Sequence, residues 1–415
     1  MKMGLPQALI SVLLPVKNGE RYLAPAIESV LRQSHENLEL IIVDDFSSDY
    51  SLSIIESFAA RDARVKYWRH GSPAGLWETY NQCLSEVGGQ FVKLFQQDAI
   101  MAKDCLAASL ACFERHPSLA LVATGYQIID LFSEPVSGPS ARAGLCGPSG
   151  SFSAHGFKPG HVHARGDVLE KCLLPLSNHL GELGTLMFKS AAAGSGFDSR
   201  LNCFADLEYG LRIIMEGDYY LLSDSLIELR QRVFESPVAS SGNTGSGPTQ
   251  GLSGPDCRGM MGACDIVKIS RKYAKVLTAF GRSQDEFLQS SIAAFLGRLR
   301  ELMDLGVVSE DYLKQADDLR LRSRNDSAQS AAASVTSAFS ALAAVLGSGS
   351  SALSFSVEET MESPSLLQDL VDFRLFTYYA VKVLTAPAPE STRSQFQDLR
   401  VSMITEPVGI SGRLR

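Results

Sequence analysis

Four acidic residues stand at places in the chain where a carboxylate could do chemistry. Asp44, Asp45 and Asp98 each end a short apolar run, and Asp206 opens a helical pattern. A carboxylate can accept hydrogen bonds from a ligand, bind a hard divalent cation, or take a proton from a reacting hydroxyl. Purely local roles stay open as well, as turn or helix caps for the first two, a loop acid for Asp98 and a helix N-terminal acid for Asp206.

The elements that position these acids follow from two alternating patterns in the first half of the chain. Short apolar runs rich in β-forming residues predict strands that are covered on both faces. The stretches between them carry apolar residues at helical spacing. Strand, helix and strand at this spacing predict right-handed crossovers, and so an α/β fold with a mainly parallel sheet. The predicted strands are ISVLLPV at 10–16, LELIIVDD at 38–45, VKYW at 65–68 and FVKLF at 91–95.

A polar loop follows each of these strands, and together the loops predict one ligand site. Parallel strands end at the same edge of a sheet, and ligands of α/β domains bind beyond that edge. The four loops should therefore converge. Their sequences are PVKNGE, DDFSSD, RHGSPAG and QQDA.

Composition and charge exclude several classes of protein. The 415 residues are 45% hydrophobic and 20% charged, which is typical of a globular protein with room for two domains. A net charge of −8 without a basic cluster argues against nucleic acid as a partner. The eight cysteines form no C-x-x-C pair, which favours reduced thiols in the cytoplasm. We expect neither a signal peptide nor a membrane-spanning helix.

The composition also predicts the domain organisation. An α/β domain should span residues 1–235, and a Gly/Ser-rich linker should follow over 236–257. Residues 258–415 have mostly helical patterns, apart from an Ala/Ser-rich segment at 327–354. The amphipathic stretches of this second part are compatible with acceptor binding, with homo-oligomerisation and with docking on the inner face of a membrane.

Three stretches of the first domain resemble the inverting family-two glycosyltransferases, whose nucleotide-binding half has the GT-A fold. The first joins a strand ending in Pro-Val-x-Asn to a helix and to a second strand ending in VDDFSSD. The others are GLWETYNQCLSEVGGQFVKLFQQDAIMAKDCL and GFDSRLNCFADLEYGLRIIMEGDYYLL, so the resemblance covers about residues 8 to 232. It implies a Rossmann-like mixed sheet flanked by helices.

The resemblance implies a nucleotide site at the predicted loops. In similar enzymes the Asp pair after the second strand, here Asp44 and Asp45, contacts the nucleoside. Backbone around Pro15 and Val16 would line the same pocket. The other residues that the resemblance assigns to nucleotide binding are Asn18, Glu20, Asn81 and Gln97.

The resemblance also implies a cation, Mn²⁺ or Mg²⁺, that stabilises the leaving diphosphate. Similar enzymes bind it with an Asp-x-Asp pair or a Gln-Asp-Asp variant, whereas here Gln96 and Ala99 are neutral and Asp98 is the expected metal ligand. We therefore expect metal binding to be weak or dispensable. The family often has an Arg-x-His ending further on. This chain has Arg232 in place of that His, and we expect its guanidinium to contact phosphate oxygens.

The segment FADLEYGLRI resembles the one that carries the catalytic base. Asp206 matches the family's Asp, and Ala205 replaces the preceding Glu. One base suffices, because a nucleoside diphosphate is already a good leaving group. Glu182 and Trp77 are further candidates for contact with the acceptor or the sugar, with packing roles open for both.

The resemblance predicts an inverting transferase that moves a sugar from a nucleotide-diphospho-sugar, with UDP-sugars first, to a saccharide, a lipid-linked or a protein acceptor. Polysaccharide biosynthesis in the cytoplasm is the expected setting. The alternative is a catalytically degenerate relative that binds nucleotide sugar or acts as a scaffold. Turnover of a sugar nucleotide distinguishes the two. A nucleotidyltransferase would need a Gly-rich, basic loop after the first strand, and PVKNGE is not such a loop.

Overall fold

The computed structural model describes residues 8–136, 157–174, 176–201, 204–230 and 259–292. The chain divides into two compact units. The first comprises Met1–Leu173 and Ser177–Asp256, and the second comprises Leu174–Leu176 and Cys257–Arg415. The predicted linker at 236–257, the Ala/Ser-rich segment at 327–354 and Arg232 all lie outside the described residues.

The first unit contains a sheet of nine strands and six helices among its described residues. The strands are β1 Ile10–Val16, β2 Leu38–Asp44, β3 Val65–Arg69, β4 Phe91–Leu94, β5 Ile100–Met101, β6 Leu119–Ile129, β7 Val162–His163, β8 Leu186–Lys189 and β9 Asp218–Arg230. The helices are α1 Leu23–Leu31, α2 Ser51–Ala59, α3 Leu76–Ser85, α4 Cys105–Arg115, α5 Arg165–Leu173 and α6 Ala205–Met215. Each of the four strands predicted in the first hundred residues is present.

The sheet is mixed, with strand order β3-β2-β1-β4-β8-β6-β9-β5 and with β7 paired to β9. The strands β3, β2, β1 and β4 run parallel, as the crossover argument predicts. Beyond them β8 is antiparallel to β4 and to β6, whereas β9 is parallel to β6. The carboxyl ends of β1 to β4 and the start of β8 therefore lie at one edge, which we call the strand-end edge.

The core forms because the central strands are apolar on both faces. All seven residues of β1 and all seven of β2 are buried. On one face Ile10, Val12 and Leu14 share a hydrophobic cluster with Leu23 and Ile27 of α1. Covering both faces of a parallel sheet with helices in this way is what lets its strands be continuous apolar runs.

The described part of the second unit is helical, as predicted. Helix α7 spans Gly259–Lys272 and helix α8 spans Ala274–Ala279, and a further helical stretch covers 284–292. Ile266, Val267 and Ile269 of α7 are buried. No helix within the described ranges combines the length and the apolarity that crossing a bilayer requires.

Lys93 is a charged residue in the middle of a core strand. It lies in β4 with no exposed surface, and its ammonium donates a 2.7 Å hydrogen bond to the carbonyl of Gly184. Burial lowers the pKa of Lys93 to about 8, because removing the ammonium from water disfavours its charged form. The bond ties the turn before β8 to β4, at some cost in stability.

Replacing Lys93 should change how stability depends on pH. A folded-state pKa below the unfolded value means that the native protein gains stability as pH rises between the two. Between pH 8 and 10.5 the wild type should therefore gain up to about 3 kcal/mol in unfolding free energy relative to Lys93→Met. Urea unfolding at several pH values measures this.

Lys189 provides the matched control for this experiment. Its ammonium also donates to a carbonyl oxygen, that of Pro117 at 2.6 Å, but the side chain reaches solvent. The curve of Lys189→Met should therefore follow that of the wild type. If the unfolding free energies of wild type and Lys93→Met changed with pH in parallel, the lowered pKa of Lys93 would be contradicted.

Candidate active site at the strand-end edge

The predicted convergence of the four loops is confirmed, and its centre is a double hydrogen bond. The side-chain amide of Gln97, after β4, accepts from the backbone N–H of Lys17 at 2.8 Å and donates to the carbonyl of Lys17 at 2.9 Å. A Cβ at Gly19 would lie 2.7 Å from the Gln97 oxygen, so a glycine is needed there for this approach. The loops after β1 and β4 are joined at this point.

The loops after β1 and β2 are joined by side chain to backbone bonds. The Asn18 N–H donates to the hydroxyl of Ser47 at 2.9 Å, and the Asn18 side-chain oxygen accepts from the Ser48 N–H at 2.9 Å. The Glu20 carboxylate accepts from the Tyr50 N–H at 2.9 Å. Asn18 and Glu20, both predicted to bind nucleotide, thus brace the loop after β2.

Asp44 ends β2 with no exposed surface. Its Oδ2 accepts from the Ser47 N–H at 3.1 Å and pairs with the Arg69 guanidinium at 3.2 Å. Its Oδ1 is buried and has no hydrogen-bond partner among the described residues. A buried acceptor left unpaired costs free energy, so turn formation alone does not explain this carboxylate.

Asp45 connects the loop after β2 to the loop before α3. Its two oxygens accept from the backbone N–H groups of Ala74 at 2.6 Å and Gly75 at 3.2 Å. The Lys17 ammonium lies 3.8 Å from the same carboxylate and donates to the Asp45 carbonyl. Gly75 has φ of +90°, a conformation that side chains rarely adopt. Asp45 therefore has a bracing role at the position predicted for nucleoside contact.

Pro15 and Val16 lie at the buried end of β1, where the Val16 carbonyl accepts from the Asp45 N–H at 2.7 Å. Their backbone is thus beside the Asp pair, as a shared pocket requires. Contact of any of these residues with nucleotide stays a prediction.

The turn before β8 brings Glu182 to the same edge. Residues Leu183–Thr185 form a 3-10 turn, and a Cβ at Gly184 would lie 3.2 Å from the Gln96 side-chain oxygen. Glu182 is 8% exposed. It is therefore near the end of β4, and the acceptor contact predicted for it stays a prediction.

Asp206 lies in the first turn of α6 and is buried. Burial raises the pKa of Asp206 to about 6, against the smaller opposing effects of backbone N–H groups and Asn178. The side-chain amide nitrogen of Asn178 donates a hydrogen bond to Asp206 Oδ2 at 3.4 Å and another to the Gly181 carbonyl at 3.3 Å. Asn178 thereby links the predicted base to the turn that carries Glu182.

Glu208 has a different environment from Asp206. It has no exposed surface, and the Arg212 guanidinium donates to its two oxygens at 2.9 and 3.1 Å. Arg212 also donates to the carbonyl of Gly196. The buried Glu208–Arg212 ion pair and this hydrogen bond together attach α6 to the preceding loop.

Trp77 and Asn81 of α3 both contact Phe197. The Trp77 ring stacks on the Phe197 ring with centroids 5.2 Å apart. The Asn81 amide accepts from the Phe197 N–H at 2.7 Å and donates to its carbonyl at 3.0 Å. These contacts account for both residues by packing, and their predicted ligand contacts remain predictions.

Asp98, the predicted metal ligand, is half-buried in the tight turn after β4, which the Ala99 N–H closes with a 3.2 Å bond to the Gln96 carbonyl. Within the described residues, no three His, Cys, Asp or Glu side chains are grouped to hold a metal. Among the described residues, Asp98 fits a cation that a substrate also helps to hold. Asp98 would be its protein ligand, with phosphate and water oxygens completing the coordination.

A buried arginine, Arg230, ends β9 near the strand-end edge. Its guanidinium donates to the Asp130 carbonyl and, at 3.0 Å, to the Ser133 hydroxyl, and it lies 4.1 Å from the centre of the Tyr22 ring. Arg232, predicted to contact phosphate, lies two positions further on and outside the described residues.

The fold and the site define an α/β domain with acidic side chains after β2 and β4, the two parallel strands on either side of β1. Residues 11–141 match the family model described as Glycosyl transferase family 2. The match covers 131 of the 415 residues, so this domain is similar to the family-2 glycosyltransferases, and the predicted recognition and GT-A fold class are confirmed.

Curated relatives agree with this assignment. Putative glycosyltransferase EpsE of Bacillus subtilis is 35% identical over 124 residues, which cover 30% of this chain and 45% of that protein. Putative teichuronic acid biosynthesis glycosyltransferase TuaG, also of B. subtilis, is 32% identical over 121 residues, 29% of this chain and 48% of that protein. An uncharacterized glycosyltransferase of Rickettsia bellii is 26% identical over 236 residues, 57% of this chain and 31% of that protein. The chain spans half or less of the length of these relatives.

Similar solved structures include that of S. aureus TarS 1-349, with 14% identity and a TM-score of 0.48 over 93% of this chain and 91% of that one. The same protein in complex with UDP-GlcNAc gives 16% identity, a TM-score of 0.48 and coverage of 93% and 92%. The family assignment rests on the sequence matches.

Sequence reasoning missed several residues that build the site. Asn178, Ser47 and Arg69 contact the predicted acids, yet each is an ordinary polar residue in a loop or at a strand end. The only signal for Ser47 and Arg69 was their place in the loops DDFSSD and RHGSPAG. Asn178 had none, because 28 residues separate it from Asp206.

Replacing Asp206 should stabilise the fold at neutral pH. A carboxyl whose folded pKa is raised makes the native state less stable as pH climbs from 3.8 to about 6, and the cost persists above that. Asp206→Asn removes the charge, so its free energy of unfolding at pH 7.5 should exceed that of the wild type by up to about 3 kcal/mol. Near pH 4 the two unfolding free energies should no longer differ in this way. Urea unfolding at both pH values measures the difference.

Asp167 is the matched control, an exposed acid in the first turn of α5. Asp167→Asn should show no such gain at pH 7.5. An Asp206→Asn protein less stable than the wild type at pH 7.5 would show that burial is not the dominant effect on the pKa of Asp206.

Proposed function

We propose that this protein transfers a sugar from a nucleotide-diphospho-sugar, with UDP-sugars first, onto a saccharide, lipid-linked or protein acceptor with inversion at the anomeric carbon. The observation that carries the proposal is the set of carboxylates at one sheet edge, Asp44, Asp45 and Asp98, in a domain of family 2. Ligands of α/β sheets bind at such an edge.

The proposal gives Asp44 and Asp98 different tasks in binding the donor. The unpaired buried oxygen of Asp44 would accept a hydrogen bond from a base N–H or a ribose hydroxyl, which removes the cost of leaving this oxygen without a partner. Asp98 would share a Mn²⁺ or Mg²⁺ ion with the diphosphate, and this ion neutralises charge on the leaving group. Lys17 and Arg69, both close to the Asp pair, add positive charge at the same loops.

Asp206 would take the proton of the acceptor hydroxyl. A general base needs to be unprotonated at working pH and still to bind a proton readily, and a pKa near 6 satisfies both conditions at neutral pH. Its link through Asn178 to the turn of Glu182 supports an acceptor site on this side of the edge.

The setting belongs to the proposal as well. TuaG carries teichuronic acid biosynthesis in its name, which supports a polysaccharide acceptor. The free, buried thiols of Cys83, Cys105 and Cys172 support a reducing cytoplasm. Attachment to the inner membrane face and oligomerisation through the helical second unit are part of the same proposal.

A catalytically degenerate relative is the second candidate. Gln96, Ala99 and Ala205 are neutral where similar enzymes have acids, which favours a protein that binds the nucleotide sugar without turning it over. Such a binder protects the nucleotide sugar, whereas a transferase with its acceptor consumes it.

Titration of UDP into the protein by calorimetry, with and without Mn²⁺, tests the donor and metal assignments together. We expect binding that Mn²⁺ strengthens, and Asp98→Ala should lose that strengthening while keeping the metal-independent part. Asp104→Ala is the control, because this exposed acid lies six positions further along the chain. If the affinity of the wild type for UDP is the same with and without Mn²⁺, the metal has no place in the proposal.

Activity should depend on pH through Asp206. With a sugar nucleotide that the protein turns over, kcat/KM should fall as pH drops through about 6, because the base becomes protonated. Asp206→Asn should lose roughly 100-fold or more in kcat while still binding UDP. An Asp206→Asn variant with unchanged turnover would exclude it as the base.

A further inference from the structure

The residue after the Asp pair, Phe46, has a backbone conformation that a phenylalanine rarely adopts. Its φ is +56°, in the left-handed region. Bulky side chains are unfavourable there because their Cβ crowds the following peptide, so such a residue is an outlier that asks for an explanation.

The surrounding hydrogen bonds explain how this conformation is held. The Ser47 N–H donates to Asp44, the Ser47 hydroxyl accepts from Asn18, and the Ser47 carbonyl accepts from Arg69 at 2.9 Å. The Lys17 ammonium donates to the Asp45 carbonyl and lies 3.4 Å from the carbonyl oxygen of Phe46. The turn is fixed on both sides of Phe46, so any residue at this position would have a positive φ.

These bonds do not explain why the residue is a phenylalanine. Its side chain is not buried, because Phe46 is 45% exposed. Among the described residues, its ring contact is with the Arg69 guanidinium, 5.4 Å from the ring centre, and such a contact at an exposed site contributes little. Neither burial nor this contact compensates for the unfavourable backbone, which a glycine would avoid.

The surroundings of the ring indicate what it could bind. Phe46 follows Asp44, which the proposed function assigns to the nucleoside, and Asp45, whose carboxylate lies 3.8 Å from the Lys17 ammonium. Arg69 contacts both Asp44 and the ring. A planar aromatic ligand with hydrogen-bond donors and an anionic substituent matches this combination. A nucleobase bearing a ribose diphosphate has these features, and bases stack on aromatic rings whatever their identity.

We propose that Phe46 is a binding residue whose exposed ring stacks on the base of the nucleotide. The inference rests on the proposed function and extends it, since it names a contact that adds affinity at the expense of local backbone strain. If it is correct, replacing Phe46 with glycine should lower the affinity for nucleotide without lowering the stability of the fold.

The test uses Phe46→Gly in the full-length protein. Calorimetry should show a Kd for UDP raised roughly tenfold, because one base–aromatic stack is lost. The melting temperature without nucleotide should equal or exceed that of the wild type, because glycine accepts the positive φ. Phe46→Tyr keeps the ring and should restore wild-type affinity.

Two comparisons locate the contact. UMP should lose affinity by the same factor as UDP if the ring meets the base, whereas a loss confined to UDP would overturn base stacking. Tyr67→Ala is the control, because Tyr67 is 39% exposed on the edge strand β3 and lies outside the proposed site. It should leave both Kd values unchanged.

The remaining outcomes separate this inference from the proposed function. If the wild type binds UDP and Phe46→Gly binds it equally well, the stacking inference is wrong and the proposed function stands. If the wild type binds none of UDP, GDP, CDP and dTDP, both are wrong. A Phe46→Gly protein with a lower melting temperature and an unchanged Kd would make the ring a packing residue.

Discussion

The double hydrogen bond between the Gln97 amide and the Lys17 backbone is the constraint on which the strand-end site depends. It joins the loops after β1 and β4, and the absence of a side chain at Gly19 makes it sterically feasible. With its backbone held, Lys17 places its ammonium against the loop after β2. Asp45 then carries the connection to the loop before α3. Four loops thus form one surface through hydrogen bonds between side chains and backbone.

The same surface concentrates unfavourable local energies. Asp44 has an unpaired buried oxygen, Asp206 is a carboxyl whose pKa burial raises, and Phe46 has a positive φ. Each lowers the stability of the fold, and in the proposed function each has a role with a ligand or a proton. The fully buried strands β1 and β2 provide the hydrophobic stabilisation that offsets these costs. Locally unfavourable features of this kind concentrate at functional sites.

Particular elements show how far sequence reasoning reached. Strands β1 to β4 were predictable because short continuous apolar runs are typical of strands that are buried on both faces of a sheet. Convergence of their loops followed from the parallel order. The antiparallel insertion of β8 between β4 and β6 was not predictable, because nothing in a local run states which strand it will pair with. That insertion is what places Glu182 near the end of β4.

By itself, the sequence determined the α/β class, the resemblance to one family and the convergence of the strand-end loops, because periodicity and short motifs are local properties of the chain. The tertiary structure alone decided which acids brace loops and which are left unsatisfied. Asp45 has its oxygens occupied by backbone N–H groups, whereas Asp44 keeps one oxygen unpaired, although the two are neighbours in sequence. It also decided that Asn81 would pair with Phe197, since hydrogen-bond partners 116 residues apart meet only after folding.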